Sequence, residues 1–133
     1  MKILFICKHN RFRSKIAEAV YNKLNKNKLN NAKSAGIICG NPVAKIVIEI
    51  AKKHGLNIKN KPQGLSTELL IWGDIYVIVA DDVPTEIFNN YKKFNKKLIV
   101  WKIKDTDEYN KKKIEEIMLD IENKIKSLIK ELQ

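Results

Sequence analysis

The chain has 133 residues, a net charge of +11 and a hydrophobic content of 44%, which indicates one domain over 1–133 whose core needs no metal or disulfide. Two cysteines are too few for a disulfide scaffold, no run approaches the roughly 20 apolar residues that span a membrane, and the first residues do not resemble a signal peptide, so we expect a cytoplasmic protein. The lysines are scattered, and we interpret the charge as a solvated surface that attracts anionic substrates rather than a nucleic-acid interface.

Hydrophobic periodicity predicts strands that alternate with helices. The predicted strands are 2–6, 32–38, 74–80 and 97–103. The predicted helices are 14–24, 43–54, a short one at 66–70, another short one after Pro84 that ends near Asn90, and 111–132. This order predicts an α/β fold, a single-domain three-layer α/β/α arrangement with a four-stranded parallel sheet.

Three polar residues follow predicted strands. Cys7 comes after the first strand, Asp81 after the third and Asp105 after the fourth. Because ligands bind beyond the carboxyl ends of parallel strands, we expect these residues at one edge of the sheet.

The segment 7–14, CKHNRFRS, joins the first strand to the first helix as a Cys-x5-Arg loop. Such a loop can aim backbone N–H groups and a helix N-terminus at an anion. Arg13 would then bind two phosphate oxygens, and Cys7 would be a thiolate nucleophile in a positive environment. The chain has 26 Lys and Arg residues, but its two arginines, Arg11 and Arg13, both lie in this loop, where the forked geometry of a guanidinium matters. The segment therefore predicts a phosphate-binding catalytic loop.

Transfer of a phosphoryl group to a thiolate needs an acid that protonates the leaving oxygen. Asp105 is the candidate because it follows the strand 97–103, and Asp107 and Glu108 are nearby competitors.

The segment CKHNRFRSKIAEA resembles the C-x-x-N-x-x-R-S-x-x-A-E signature of the low-molecular-weight protein tyrosine phosphatase superfamily, which also contains the thioredoxin-coupled arsenate reductases. The resemblance covers nearly the whole chain. It implies that Cys7 is the nucleophile and that Arg13 binds phosphate. It also assigns substrate binding to the rest of the loop, namely Lys8, His9, Asn10, Arg11, Phe12 and Ser14.

The same resemblance implies residues outside the loop. VWKIKDT, 100–106, resembles the W-x-I-x-D-P segment of the family, which makes Asp105 the general acid, although Thr106 stands where the family has Pro. Ser34, Asn60 and Asp81 match or lie near family positions in the hydrogen-bond network that supports the loop.

Members of this superfamily catalyse two different reactions, the hydrolysis of phosphate esters and the reduction of arsenate. Reductases carry further cysteines after the third strand, whereas the segment 80–86, ADDVPTE, has none, and Asp81 matches a phosphatase position. His9 is more typical of the reductase branch. Cys39, the other thiol, is interpreted as a small buried residue. The sequence therefore favours a phosphomonoester hydrolase, and the alternatives are an arsenate reductase or a module that binds phosphate or polyanions without turnover.

The expected partners are a phosphotyrosine protein or a small phosphomonoester, and oxyanions such as phosphate, vanadate or arsenate in the loop. Phe12 and Tyr109 are candidates for the wall of a slot that holds an aromatic substrate. No cofactor, metal or membrane partner is expected, and the sequence does not specify an oligomeric state.

Overall fold

A computed structural model describes residues 1–92 and 95–132. The strands are β1 (Lys2–Cys7), β2 (Asn31–Gly36), β3 (Ile75–Val79) and β4 (Lys97–Trp101). The α-helices are α1 (Arg13–Leu24), α2 (Lys45–Lys53), α3 (Thr67–Trp72), α4 (Asn89–Lys92) and α5 (Lys111–Glu131), and a 3-10 helix spans Thr85–Phe88.

The four strands form one parallel sheet in the order β2-β1-β3-β4. β1 and β3 are central, and their apolar sequences are buried on both faces, as expected for inner strands of a parallel sheet. β4 is an edge strand whose residues are exposed or partly buried. The predicted three-layer α/β/α fold is confirmed.

Alternate residues of the central strands face two separate cores. Ile3 and Phe5 pack on one face with apolar side chains of α1, α2 and α5. Leu4 and Ile6 pack on the other face with α3 and Phe88 of the 3-10 helix. The period-2 alternation of each strand therefore separates the two helical layers.

Several predicted element boundaries differ from the structure by one or two residues, and two of these differences bear on the loop after β1. The helix predicted from residue 43 begins at Lys45, because the carbonyl of Pro42 accepts hydrogen bonds from Arg11 and the N–H of Val43 donates to Asn60. The strand predicted to end at residue 103 ends at Trp101. The chain turns there: the N–H of Ile103 donates to the carbonyl of Trp101, and the carbonyl of Ile103 accepts from both the N–H of Asp81 and Arg13.

Candidate active site

The loop after β1 occupies the carboxyl edge of the sheet. β1 ends at Cys7 and α1 begins at Arg13, so only residues 8–12 connect them. Asn10 adopts a positive φ of 56°, a left-handed conformation that Asn tolerates better than most residues. The sharp turn brings both ends of the loop together, and the Sγ of Cys7 lies 2.9 Å from the Oγ of Ser14.

The segment after β2 supports the backbone of this loop. The N–H of Ile37 donates to the carbonyl of Cys7, and the N–H of Gly40 donates to the carbonyl of His9. A Cβ added to Gly36 would lie 2.6 Å from the backbone carbon of His9. Glycine at position 36 therefore permits the close approach of the two segments.

Backbone donors of the loop remain available to a ligand. Within the described residues, the N–H groups of residues 8–12 donate to no protein acceptor, and the first residues of α1 have no intrahelical acceptors. These donors and the positive end of the helix dipole form an anion-binding arrangement beside Cys7. This local structure matches the Cys-x5-Arg loop predicted from the sequence.

A buried network behind the loop orients Asn10. The backbone N–H of Gln63 donates to Oδ1 of Asn10 at 3.0 Å. A backbone N–H can only donate, so it fixes which end of the Asn10 side chain is the oxygen. The Nδ2 of Asn10 therefore faces the hydroxyls of Ser14, at 2.8 Å, and Ser34, at 3.0 Å.

This orientation leaves the hydroxyl of Ser14 able to donate to Cys7. The hydroxyl accepts from Asn10, so its hydrogen is free for the Sγ of Cys7 at 2.9 Å. Likewise, Ser34 accepts from Asn10 and donates to Oε1 of Glu18 at 2.5 Å. A thiolate can only accept hydrogen bonds, so a thiolate at Cys7 would end an ordered chain of donors.

The structure brings Ser34 into this network and leaves Asn60 out of it, which corrects the prediction for Asn60. Residue 60 is exposed and contributes its backbone carbonyl to Val43. Gln63 takes the predicted role, since its backbone binds Asn10 and its side chain donates to the carbonyl of Ser34. Glu18 was also missed, although the A-E of the quoted signature was a signal for it.

Arg13 is anchored from behind the loop. Its guanidinium is buried, with 2% of the side chain exposed, and it donates to the carbonyl of Ile103 at 2.9 Å and to Asp82. Two of its five N–H groups are thereby used, which leaves three for an anion. Asp82 was not predicted. It lies 3.0 Å from Nη2 of Arg13, whereas the predicted Asp81 lies 3.8 Å from Nη1.

A cleft opens above Cys7 between the loop, α2 and the segment that follows β4. The described residues that line it are Cys7, His9, Arg11, Phe12, Arg13, Ala44, Val47, Asp105, Thr106, Asp107, Glu108 and Ile114. Three predicted substrate-binding residues lie elsewhere: Asn10 and Ser14 are buried behind the loop, and Lys8 lies outside the cleft lining, with its carbonyl bound to Ile38.

The acidic residues of the cleft differ in geometry. Oδ2 of Asp105 lies 3.8 Å from Nη2 of Arg13, while its Oδ1 accepts from the N–H of Thr106. Oδ1 of Asp107 instead accepts from the N–H of Tyr109 within its own turn. Among the carboxylates that line the cleft, Asp105 is therefore the one beside the guanidinium of Arg13.

Arg11 points to the wall of the cleft. Its Nε and Nη2 donate to the carbonyls of Asn41 and Pro42, and its Nη2 lies 3.9 Å from Glu108. The two loop arginines therefore differ in role: Arg13 is held beneath the cleft, and Arg11 ties the loop to the segment before α2.

Tyr109 and Cys39 lie in surroundings that differ from the predicted ones. Tyr109 is 86% exposed and lies in a neighbouring groove with Ala44, Ile46 and Glu108, outside the cleft lining. Cys39 is exposed rather than buried, because it lies in the loop that follows β2, where its Sγ is 3.6 Å from the carbonyl of Pro62.

No helix within residues 1–92 and 95–132 is long and apolar enough to cross a membrane. No group of three or more His, Cys, Asp or Glu residues in these ranges is placed to hold a metal ion.

The fold and the loop define a class of α/β proteins that bind an oxyanion at a cysteine after the first strand. Residues 2–133 match the family model for low molecular weight phosphotyrosine protein phosphatase, and the chain belongs to this family. Members of the family are phosphatases. A comparison with curated protein sequences finds no match.

Solved structures share the fold. A low molecular weight protein tyrosine phosphatase from T. tengcongensis is 24% identical with a TM-score of 0.85, over 98% of this chain and 99% of that one. An arsenate reductase from Archaeoglobus fulgidus is 26% identical with a TM-score of 0.75, over 96% and 98%. An arginine phosphatase from Geobacillus stearothermophilus is 21% identical with a TM-score of 0.81, over 99% and 92%. Proteins with this fold have different activities, so the reaction of this chain depends on its own site residues rather than on the fold alone.

Proposed function

We propose that the protein hydrolyses phosphate monoesters through a phosphocysteine formed at Cys7. The observation that carries this proposal is the 2.9 Å contact between the Oγ of Ser14 and the Sγ of Cys7, in which the Ser14 hydrogen is free for the sulfur because Asn10 donates to the same oxygen. A sulfur that accepts this bond beneath unpaired loop N–H groups is suited to attack a bound phosphate.

In the first step, the Sγ of Cys7 attacks phosphorus, and an S–P bond forms as the ester P–O bond breaks. Arg13 and the loop N–H groups hold the equatorial oxygens and stabilise the charge on the transferring group. Asp105 donates a proton to the leaving oxygen. Its position on the cleft side of Arg13 supports this role over Asp107, whose carboxylate is bound to its own turn.

In the second step, a water attacks the phosphorus of the phosphocysteine. The carboxylate of Asp105, which gave up its proton in the first step, takes a proton from that water. The S–P bond breaks, inorganic phosphate leaves, and the thiolate of Cys7 is restored. Each group returns to its starting state, so the cycle needs no cofactor or reductant.

An aryl phosphate is the substrate class that the cleft fits best. Phe12, Ala44, Val47 and Ile114 supply apolar lining above the loop, and an aromatic ring would bury apolar surface against them. The substrate is therefore the phosphotyrosine of a protein or a small aryl phosphate ester.

After β3, the chain lacks the additional cysteines that arsenate reduction needs for its thiol relay. The segment 80–86 contains no cysteine, and Cys39 is held at an exposed position beside the carbonyl of Pro62. Asp81 and Asp82 occupy the end of β3 and contact Arg13. These residues support hydrolysis rather than electron transfer.

Turnover of p-nitrophenyl phosphate tests the proposal. The wild-type protein should hydrolyse it with inhibition by vanadate, Cys7→Ser should lower kcat by at least about a thousandfold, and Cys39→Ser should leave kcat unchanged. Vanadate binding without wild-type turnover would overturn the proposal in favour of a binding module. Thiol-dependent consumption of arsenate that is lost in Cys39→Ser would overturn it in favour of the reductase.

A further inference from the structure

A second cleft lies on α1 and shares no residue with the catalytic one. Its volume is about 510 Å³, and it separates α1 from the segment after α2. We call it the lysine cleft and define it by its lining residues, which are Lys15, Glu18, Ala19, Asn22, Lys23, Gly55, Leu56, Asn57, Ile58 and Lys59.

Two ammonium groups of the lysine cleft are held in place. Nζ of Lys15 donates to the carbonyl of Lys61 at 2.8 Å, and Nζ of Lys23 donates to the carbonyl of His54 at 3.1 Å. An ammonium has three donors, so each retains two for a ligand. This anchoring reduces the rotamer entropy that flexible lysines lose when they bind an anion.

Gly55 makes room for one of these groups. Its φ is +74°, and a Cβ at this position would lie 2.7 Å from Nζ of Lys23. Glycine suits this left-handed backbone conformation, and a larger residue would displace the end of the Lys23 side chain. Leu56 and Ile58 beside it are buried and form an apolar floor.

The charge of the lysine cleft is unbalanced. Three cations, Lys15, Lys23 and Lys59, line it with a single carboxylate, Glu18, and Oε1 of Glu18 already accepts from Ser34. Burial lowers the pKa of Lys15; Glu18 opposes this shift and the nearby Lys59 adds to it. An anion between Lys15 and Lys59 would offset their repulsion and the desolvation of Lys15.

We propose that the lysine cleft binds a small anion that contains a diphosphate group, with Lys15, Lys23 and Lys59 as its ligands. A diphosphate presents oxygens on two phosphorus atoms and can contact several ammonium groups at once, which a single phosphate does less well. The group can come from free pyrophosphate or from a nucleoside diphosphate, whose base and sugar would cover the apolar floor. This proposal is independent of the reaction at Cys7.

The test uses the full chain and follows backbone amide resonances by NMR during titration with pyrophosphate and, separately, with ADP. Saturable shifts at Gly55 and Asn57 are expected for at least one of the two. The tighter of the two ligands identifies the source of the diphosphate. Shifts confined to residues 8–14, where the catalytic loop binds anions, would overturn the proposal.

Two double variants that remove the same charge distinguish binding in the lysine cleft from a general effect of the protein's net charge. Lys15→Gln/Lys59→Gln should raise the dissociation constant measured at Gly55 by about tenfold or more. Lys26→Gln/Lys28→Gln removes the same charge from exposed positions outside the cleft and should change it by less than about twofold. Equal effects of the two double variants, or none from the first, would contradict a specific site. Unchanged circular dichroism of both variants confirms that they fold.

Discussion

The Oγ of Ser14 lies 2.9 Å from the Sγ of Cys7, and Asn10 donates to the same Oγ, which leaves the Ser14 hydrogen free for the sulfur. Asn10 is itself oriented by the backbone N–H of Gln63. Gln63, 53 positions after Asn10 in the chain, is therefore connected to the sulfur through two buried side chains.

Ser14→Ala should reduce the reactivity of Cys7. A hydrogen bond to a charged group contributes about 1.5–3 kcal/mol, so loss of the Ser14 hydroxyl should slow the reaction of the sulfur roughly tenfold to hundredfold. The rate of iodoacetate alkylation at neutral pH measures this reactivity. The control is Ser34→Ala, which removes the other hydroxyl bound by Asn10 without contacting Cys7, and an equal loss in both variants would contradict a direct role for Ser14.

The variants Asn10→Ala and Asn10→Gly distinguish the stability contributed by the side chain of Asn10 from that contributed by its backbone conformation. Both remove a buried amide with three partners and should lower the free energy of unfolding by about 1–3 kcal/mol. The positive φ of 56° adds a penalty for alanine that glycine avoids, so the alanine variant should be less stable by about 1 kcal/mol. Urea denaturation measures both values, and equal stability of the two variants would show that the left-handed conformation is not maintained.

Asp82→Asn should weaken phosphate binding more than Asp81→Asn. Asp82 contacts the buried guanidinium of Arg13 at 3.0 Å, whereas Asp81 lies at 3.8 Å. Loss of the closer charge should let Arg13 move and should lower kcat/KM for p-nitrophenyl phosphate by about tenfold, against less than about threefold for Asp81→Asn. The reverse order of effects would refute the assignment of Asp82 as the anchor of Arg13.

Tyr21 should make the protein less stable at alkaline pH. Burial raises the pKa of its hydroxyl above the ordinary value of 10.0. Its contribution to stability is therefore complete below pH 10 and is lost as the pH rises through the higher pKa of the folded state. Urea midpoints of the wild type and Tyr21→Phe, measured from pH 8 to pH 11, should show this loss only in the wild type. Parallel curves would contradict it.

Local sequence was enough to predict the loop after β1. The spacing of Cys7 and Arg13 lies within one strand–loop–helix unit, and the parallel sheet follows from strands that alternate with helices along the chain. A short helix was likewise predicted at 66–70, and the side chain of Ser66 accepts from the N–H of Leu69 at the start of α3. Features that depend on residues close together in the sequence could therefore be predicted.

Long-range contacts were harder to predict. Asp81 and Asp82 are adjacent in the bend after β3, where strand periodicity does not indicate which side chain faces Arg13, so only the three-dimensional structure shows that Asp82 is the closer. Gln63 rather than Asn60 reaches Asn10 because of the path of an irregular segment, which hydrophobic periodicity does not describe. Cys39 was taken as buried from its residue type, although the loop after β2 exposes it.

Asp105 is the proposed general acid, and a variant of its neighbour Asp107 serves as the control. Asp105→Asn should lower kcat by about a hundredfold or more for phenyl phosphate, a poor leaving group, and by less for p-nitrophenyl phosphate. Asp107→Asn should change neither rate by more than about threefold, because its carboxylate is bound within its own turn. Equal sensitivity of the two variants to the leaving group would contradict the assignment.

The most direct test of the central claim is the intact mass of the protein after acid quenching during turnover of p-nitrophenyl phosphate. We expect one added phosphoryl group, located by peptide mapping on Cys7 and absent from Cys7→Ser. Continued release of p-nitrophenol with no phosphoryl group on Cys7, at quench times shorter than one turnover, would contradict a phosphocysteine mechanism.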